Sequence, residues 1–149
     1  MSGLTNRQVE NFGKKFFGKH FLGVYPSDGM PSVKNFKNTS IIFNLSKHTE
    51  PGSHFVAVYF HNNNIYYFDS YGKKLTNYFI KKNLKKFNVP IFYHTRPIQH
   101  NDSIFCGFYA LAYLKSFQQQ KAPPLKFYNL FKYPANKTND KIVIDFLLK

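Results

Sequence analysis

The segment Ile104 to Phe117 (IFCGFYALAYLKSF) is the most apolar stretch of the chain, and any fold this sequence adopts must bury it. Its length and its Ala and Leu content favour a helix over a strand. Interrupted by Gly107 and polar residues, it falls short of the about 20 residues that span a bilayer, so a core helix is expected and no membrane segment. Pro123-Pro124 is expected to stop it.

The rest of the chain supplies elements to wrap around that helix. Thr5-Asn6-Arg7-Gln8 fits a capping box, and Val9, Phe12, Phe16 and Phe17 follow at helical spacing, which predicts a first helix over residues 5–17. Gly18, Gly23, Pro26, Gly29 and Pro31 then break regular structure, so FLGVYPSDGMP reads as a surface loop. Three β-type runs come next, Ser40 to Leu45, Phe55 to His61 and Ile65 to Phe68, with Asn62-Asn63-Asn64 turning the second into the third. Thr76 to Phe87 places Phe79, Ile80, Leu84 and Phe87 on one side of a helix and Lys81, Lys82, Lys85 and Lys86 elsewhere. Val89 to His94 is a further short strand, and short helices are expected near residues 127–131 and 140–148. This order predicts an α+β fold in which a mostly antiparallel sheet packs on the buried helix. At 149 residues, with 18 Phe and 11 Tyr to fill a core, a single domain over residues 1–149 is expected.

That helix carries the only cysteine of the chain, Cys106. With Asp102 or Ser103 as N-cap, Cys106 falls in the first turn, where unpaired N–H groups and the helix dipole stabilise a thiolate. A lone cysteine in an apolar helix is more often a small buried hydrophobe. A nucleophile further needs a base and a group to orient it. Only seven carboxylates exist, and Asp69 alone ends a strand among aromatic residues (YYFDSYG), where it is costly without a buried partner. His54 begins the neighbouring strand after the turn Glu50-Pro51-Gly52-Ser53, and a hairpin brings the two toward the same sheet end. A tight two-residue turn is expected to leave them about four residues out of line, so a longer loop or bulge is required. Gln99, in a polar loop seven residues before Cys106, offers an amide to the same carbonyl oxygen as the Cys106 N–H. Six dispersed histidines and one cysteine give no standard zinc ligand set, and the isolated glycines give no phosphate loop.

Four segments, GSHFVAVYF, YYFDSYG, Gln99 and NDSIFCGFYAL, together resemble the adenovirus maturation protease family and its relatives in virophages and Polinton-type elements. The order His, acid, Gln, Cys and the spacing from Gln to Cys are shared, and LTNRQVENF and FLGVYPSDGMP extend the resemblance over most of residues 4–120. It implies a papain-like core of circularly rearranged order. Cys106 would be the nucleophile, His54 the general base and acid, Asp69 its orienter, and Gln99 with the Cys106 N–H the oxyanion hole. It implies cleavage of viral precursor proteins at glycine-containing sites during particle maturation, in the nucleus or virus factory of an infected cell and within the virion. The family often has Trp after the histidine and Glu as the acid, where this chain has Phe55 and Asp69. In that family a viral peptide activates the enzyme through a disulfide, a route closed here because Cys106 is the sole thiol. No cofactor is therefore required, and a monomer is expected.

The 21 Lys and Arg against seven Asp and Glu give a net charge of +14, enough to attract polyanions. DNA is the expected nonspecific partner, with Lys81, Lys82, Lys85 and Lys86 as the contact surface and DNA stimulation as its consequence. The start of the chain lacks the apolar core of a secretory signal, which favours an intracellular setting. Two other readings stay open: a deconjugating protease for a ubiquitin-like modifier, and a basic DNA-binding module whose protease-like residues are inert.

Overall fold

In the computed structural model the described residues are 3–34, 37–45, 54–120 and 125–149, so the expected turn at residues 50–53 and the Pro123-Pro124 stop lie outside them. The first helix, α1 (Asn6–Phe17), starts on the predicted capping box: the Thr5 hydroxyl accepts from the Gln8 N–H at 3.2 Å, and the Gln8 side chain accepts from the Thr5 N–H at 2.9 Å. Its inner face buries Val9 and Phe17.

A five-stranded sheet follows in chain order, from β1 (Phe21–Pro26) through β2 (Asn38–Asn44), β3 (Phe55–His61) and β4 (Asn64–Phe68) to β5 (Ile91–Tyr93). The central pairs β2–β3 and β3–β4 are antiparallel, and each edge strand is added in parallel. Strand β1 lies where the sequence reads as a loop. Its Gly and Pro are tolerated because it is an edge strand with an irregular register between Phe21 and Val24. At Gly23 the backbone φ is +136°, and a Cβ there would stand 2.6 Å from Glu10 Oε1, the atom that accepts the Val24 N–H at 3.2 Å.

Both faces of the sheet are covered, so β3 is buried along six successive residues instead of alternating. Phe55, Ala57 and Tyr59 join the cluster built around α3 (Cys106–Gln120). Val56, Val58 and Phe60 join a second cluster on the other face, with Ile80 and Leu84 of α2 (Tyr78–Lys85). The Asn77 side chain caps α2 by accepting from the N–H groups of Phe79 and Ile80, both at 3.1 Å. Phe79, expected on the apolar side, is 47% exposed, because the narrow buried stripe of this short helix holds only Ile80 and Leu84. Two C-terminal helices, α4 (Leu125–Tyr128) and α5 (Thr138–Leu148), close the α3 side through Phe127, Val143 and Leu147.

Rings dominate the packing around α3. Phe117 is 1% exposed and lies parallel to Tyr59 with centroids 4.3 Å apart, while the edge of Tyr113 meets it at 5.4 Å. Truncating it removes a ring that the surrounding aromatics cannot collapse to replace. Phe117→Ala is expected to lower the unfolding free energy by about 3–5 kcal/mol, measured by urea denaturation.

Candidate active site

The turn from β3 to β4 fixes where the titratable groups meet. Asn62 and Asn63 have φ of 48° and 65°, the paired left-handed conformations of a tight two-residue hairpin turn, and His61 pairs with Asn64. Extending the observed register by one pair beyond Ala57↔Phe68 sets Asp69 opposite Val56. Asp69 is therefore offset from His54 by two residues, a diagonal neighbour on the same side of the hairpin, and not by the expected four. No bulge or long loop is needed.

The diagonal is closed by a hydrogen bond of 3.0 Å from His54 Nε2 to Asp69 Oδ1. The same oxygen accepts the Tyr71 N–H at 2.8 Å, an Asx turn that points the carboxylate back along the strand. The Tyr71 ring lies against the imidazole with centroids 4.9 Å apart and planes 29° from parallel. Thus the acid holds one edge of the imidazole and Tyr71 covers its face. With Nε2 engaged by Asp69, Cys106 is the second group whose interaction with the imidazole raises its pKa.

Cys106 opens α3 and is 6% exposed, while Asp69 is 5% exposed. The helix starts two residues later than the apolar periodicity implied, so neither Asp102 nor Ser103 is its N-cap. Instead the Ser103 hydroxyl accepts the Phe105 N–H at 3.2 Å, and the Asp102 N–H donates to half-buried His100 at 3.1 Å. Burial alone would lower the pKa of His54, but the bonds to Asp69 and Cys106 and the charges on both outweigh it and push the imidazole up to about 9.

Gln99 is not a solvated loop residue. It is 1% exposed, its Oε1 accepts the Ser70 hydroxyl at 2.5 Å, and its Nε2 donates to the carbonyl and hydroxyl oxygens of Ser103, each at 3.1 Å. The Ser70 carbonyl in turn accepts the N–H groups of Ile98 and Gln99 at 2.9 and 3.0 Å. Gln99 thus ties the turn after Asp69 to the loop before Cys106. Gly72 makes room for this: at φ +72°, a Cβ there would stand 2.6 Å from the Thr95 carbonyl oxygen.

A cleft of about 330 Å³ opens beside Cys106, lined by it and by Gly3, Leu4, Phe55, Tyr71, Ser103 and Ile104. Sequence reasoning named Cys106, His54, Asp69 and Gln99, and the structure brings all four into one region. It missed Ser70, Tyr71 and Ser103, although the Asp-x-Tyr spacing of an Asx turn was present as a signal for Tyr71. Lys81, Lys82, Lys85 and Lys86 are exposed on or just after α2, across the sheet from α3. Among the described residues no cluster of three or more His, Cys, Asp or Glu could hold a metal ion.

No protein-family model matches this chain. No curated protein matches it in sequence. Solved structures match its fold. ASFV pS273R protease superposes with a TM-score of 0.61 at 15% identity, covering 98% of this chain and 66% of that one. Chlamydia abortus effector protein ChlaDUB superposes with a TM-score of 0.50 at 18% identity, covering 87% and 65%. This chain spans just under two thirds of the length of either protein. At such identities the likeness is one of fold, and it supports the α+β arrangement.

Because the folded pKa of His54 lies above the unfolded value of 6.5, its pairing contributes stability that is complete below about pH 6.5 and is lost as pH rises through about 9. Urea unfolding at pH 6, 7.5 and 9 is expected to show the wild type losing stability across this window relative to Asp69→Asn, in which the imidazole is no longer held charged.

Proposed function

We propose that this chain is a cysteine endopeptidase that cleaves viral precursor proteins at glycine-containing sites during particle maturation. The observation that carries the reading is the linked series Asp69, His54, Cys106, with the sulfur at the first turn of α3 and the cleft beside it. The fold likeness to a protease and the resemblance of the segments around these residues to the adenovirus maturation protease family support it.

The geometry performs acyl transfer as follows. Imidazolium at His54, held charged by Asp69, stabilises the Cys106 thiolate, which attacks the scissile carbonyl carbon. The developing oxyanion is met by the Cys106 backbone N–H at the positive end of α3 and by the Gln99 amide, which exchanges Ser103 for the substrate oxygen. The departing amine takes the proton from His54, leaving a thioester and a neutral imidazole. That imidazole then accepts a proton from the water that attacks the thioester; the acid product leaves and the Cys106 thiolate and His54 imidazolium are restored. Tyr71 and Asp69 keep the ring from rotating between these steps.

Cys106→Ala is expected to abolish cleavage of a glycine-containing peptide, and His54→Ala to lower kcat/KM by about 10²–10⁴-fold. Turnover of a fluorogenic ubiquitin-like substrate in place of that peptide would move the assignment to deconjugation. Cleavage by Cys106→Ala at the wild-type rate would retire the mechanism.

We further infer that Lys81, Lys82, Lys85 and Lys86 contact DNA backbone nonspecifically, supported by their exposure on one helix and by the net charge of +14. Affinity for duplex DNA is expected to fall with salt, and replacing the four lysines by Ala to reduce the log–log slope by about 0.9 for each phosphate that is no longer neutralised. An unchanged slope would remove this surface from the proposal. DNA binding without any thiol-dependent cleavage by the wild type would favour an inert protease-like module.

A further inference from the structure

Between β5 and α3 the chain runs through residues 94–105 as an irregular strap with no helix or strand of its own. One side of the strap is tied through Ser70 to the turn that carries Asp69. The other side is tied to the first turn of α5, by two adjacent residues that core packing alone does not require.

Asn139 is fully buried and donates Nδ2 to the Ile98 carbonyl at 2.8 Å and to the Lys132 carbonyl at 3.0 Å, while its Oδ1 accepts the Lys132 N–H at 2.7 Å. Asp140 Oδ1 accepts two hydroxyls, Ser103 at 2.7 Å and Tyr109 at 2.9 Å. Ser103 belongs to the strap and is the residue that Gln99 holds. Tyr109 belongs to α3, about one turn beyond Cys106. A single carboxylate oxygen therefore joins the segments on either side of the nucleophile. The apolar anchors of α5, Val143 and Leu147, would dock the helix equally well without it. A carboxylate in contact with a core is unfavourable unless it accepts such bonds, and ionised acceptors make them short and strong.

Resting on the reading of Cys106 as the nucleophile, we propose that Asp140 is a positioning residue: it clamps Ser103 to Tyr109 and so fixes the strap against the start of α3, with Asn139 securing the strap at Ile98. The C-terminal helix is then part of what aims the sulfur. A nucleophile released from such a clamp wanders by a fraction of an ångström, and misplacement of about 1 Å costs on the order of 10²-fold in rate.

The test compares Asp140→Ala with Asp140→Asn, which keeps an acceptor oxygen for both hydroxyls. In Asp140→Ala, alkylation of Cys106 by iodoacetamide is expected to slow about tenfold and kcat on a glycine-containing peptide to fall about 10–100-fold with KM little changed; Asp140→Asn recovers most of both. Alkylation needs no substrate, so it judges the clamp even if the peptide is not cleaved, an outcome that would count against the proposed function alone. Should Asp140→Ala fail to fold, Ser103→Ala takes its place, with the same slowing of alkylation expected. A folded Asp140→Ala or Ser103→Ala alkylated at the wild-type rate, or Ala and Asn variants of Asp140 equally impaired, would overturn the proposal.

Discussion

The hairpin turn at Asn62-Asn63 sets the register on which the rest of the site depends. Both residues occupy left-handed backbone, which asparagine tolerates better than most side chains. A slip of one residue between β3 and β4 would move every side chain of a strand to the opposite face. It would exchange Tyr67 and Phe68 between the two cores and carry Asp69 away from His54 at once. Core packing and active-site geometry are thus enforced by the same pairing, and neither can drift without the other.

Electrostatics then builds on that register. In a chain with 21 cationic side chains and seven carboxylates, an imidazolium has little reason to persist in a buried position. Asp69 supplies much of it: the carboxylate is bonded to the imidazole and to the Tyr71 N–H, and together with Cys106 it outweighs the effect of burial. The backbone N–H keeps the carboxylate oriented in either protonation state of the ring, so the pair is held by geometry as well as by charge.

Much of this is legible in the residues. Capping at Thr5, the buried helix with Cys106 at its start, the Asn turn and the isolated Asp69 among aromatics each follow from a local rule, and each holds in the structure. Strand β1 does not, because edge pairing makes room for Gly23 and Pro26, and pairing partners are not local information. The offset between His54 and Asp69 differs from the expected one because the consequences of a tight turn have to be counted along two strands whose ends are uncertain in sequence. The burial of Gln99 is not legible in the sequence because its partners, Ser70 and Ser103, are distant or unremarkable there and only folding brings them together. Asp140 carries no signal at all, since its two hydroxyl partners come from the strap and from α3.

Strand order in the sheet follows chain order, from β1 to β5, so each strand pairs with the one before it. His54 and Asp69 therefore lie at the ends of two paired strands that both precede residue 106 in the chain. The sulfur arrives with α3, and the helix that braces its loop arrives last of all. In chain order, then, the hairpin half of the candidate site precedes the half that carries the sulfur.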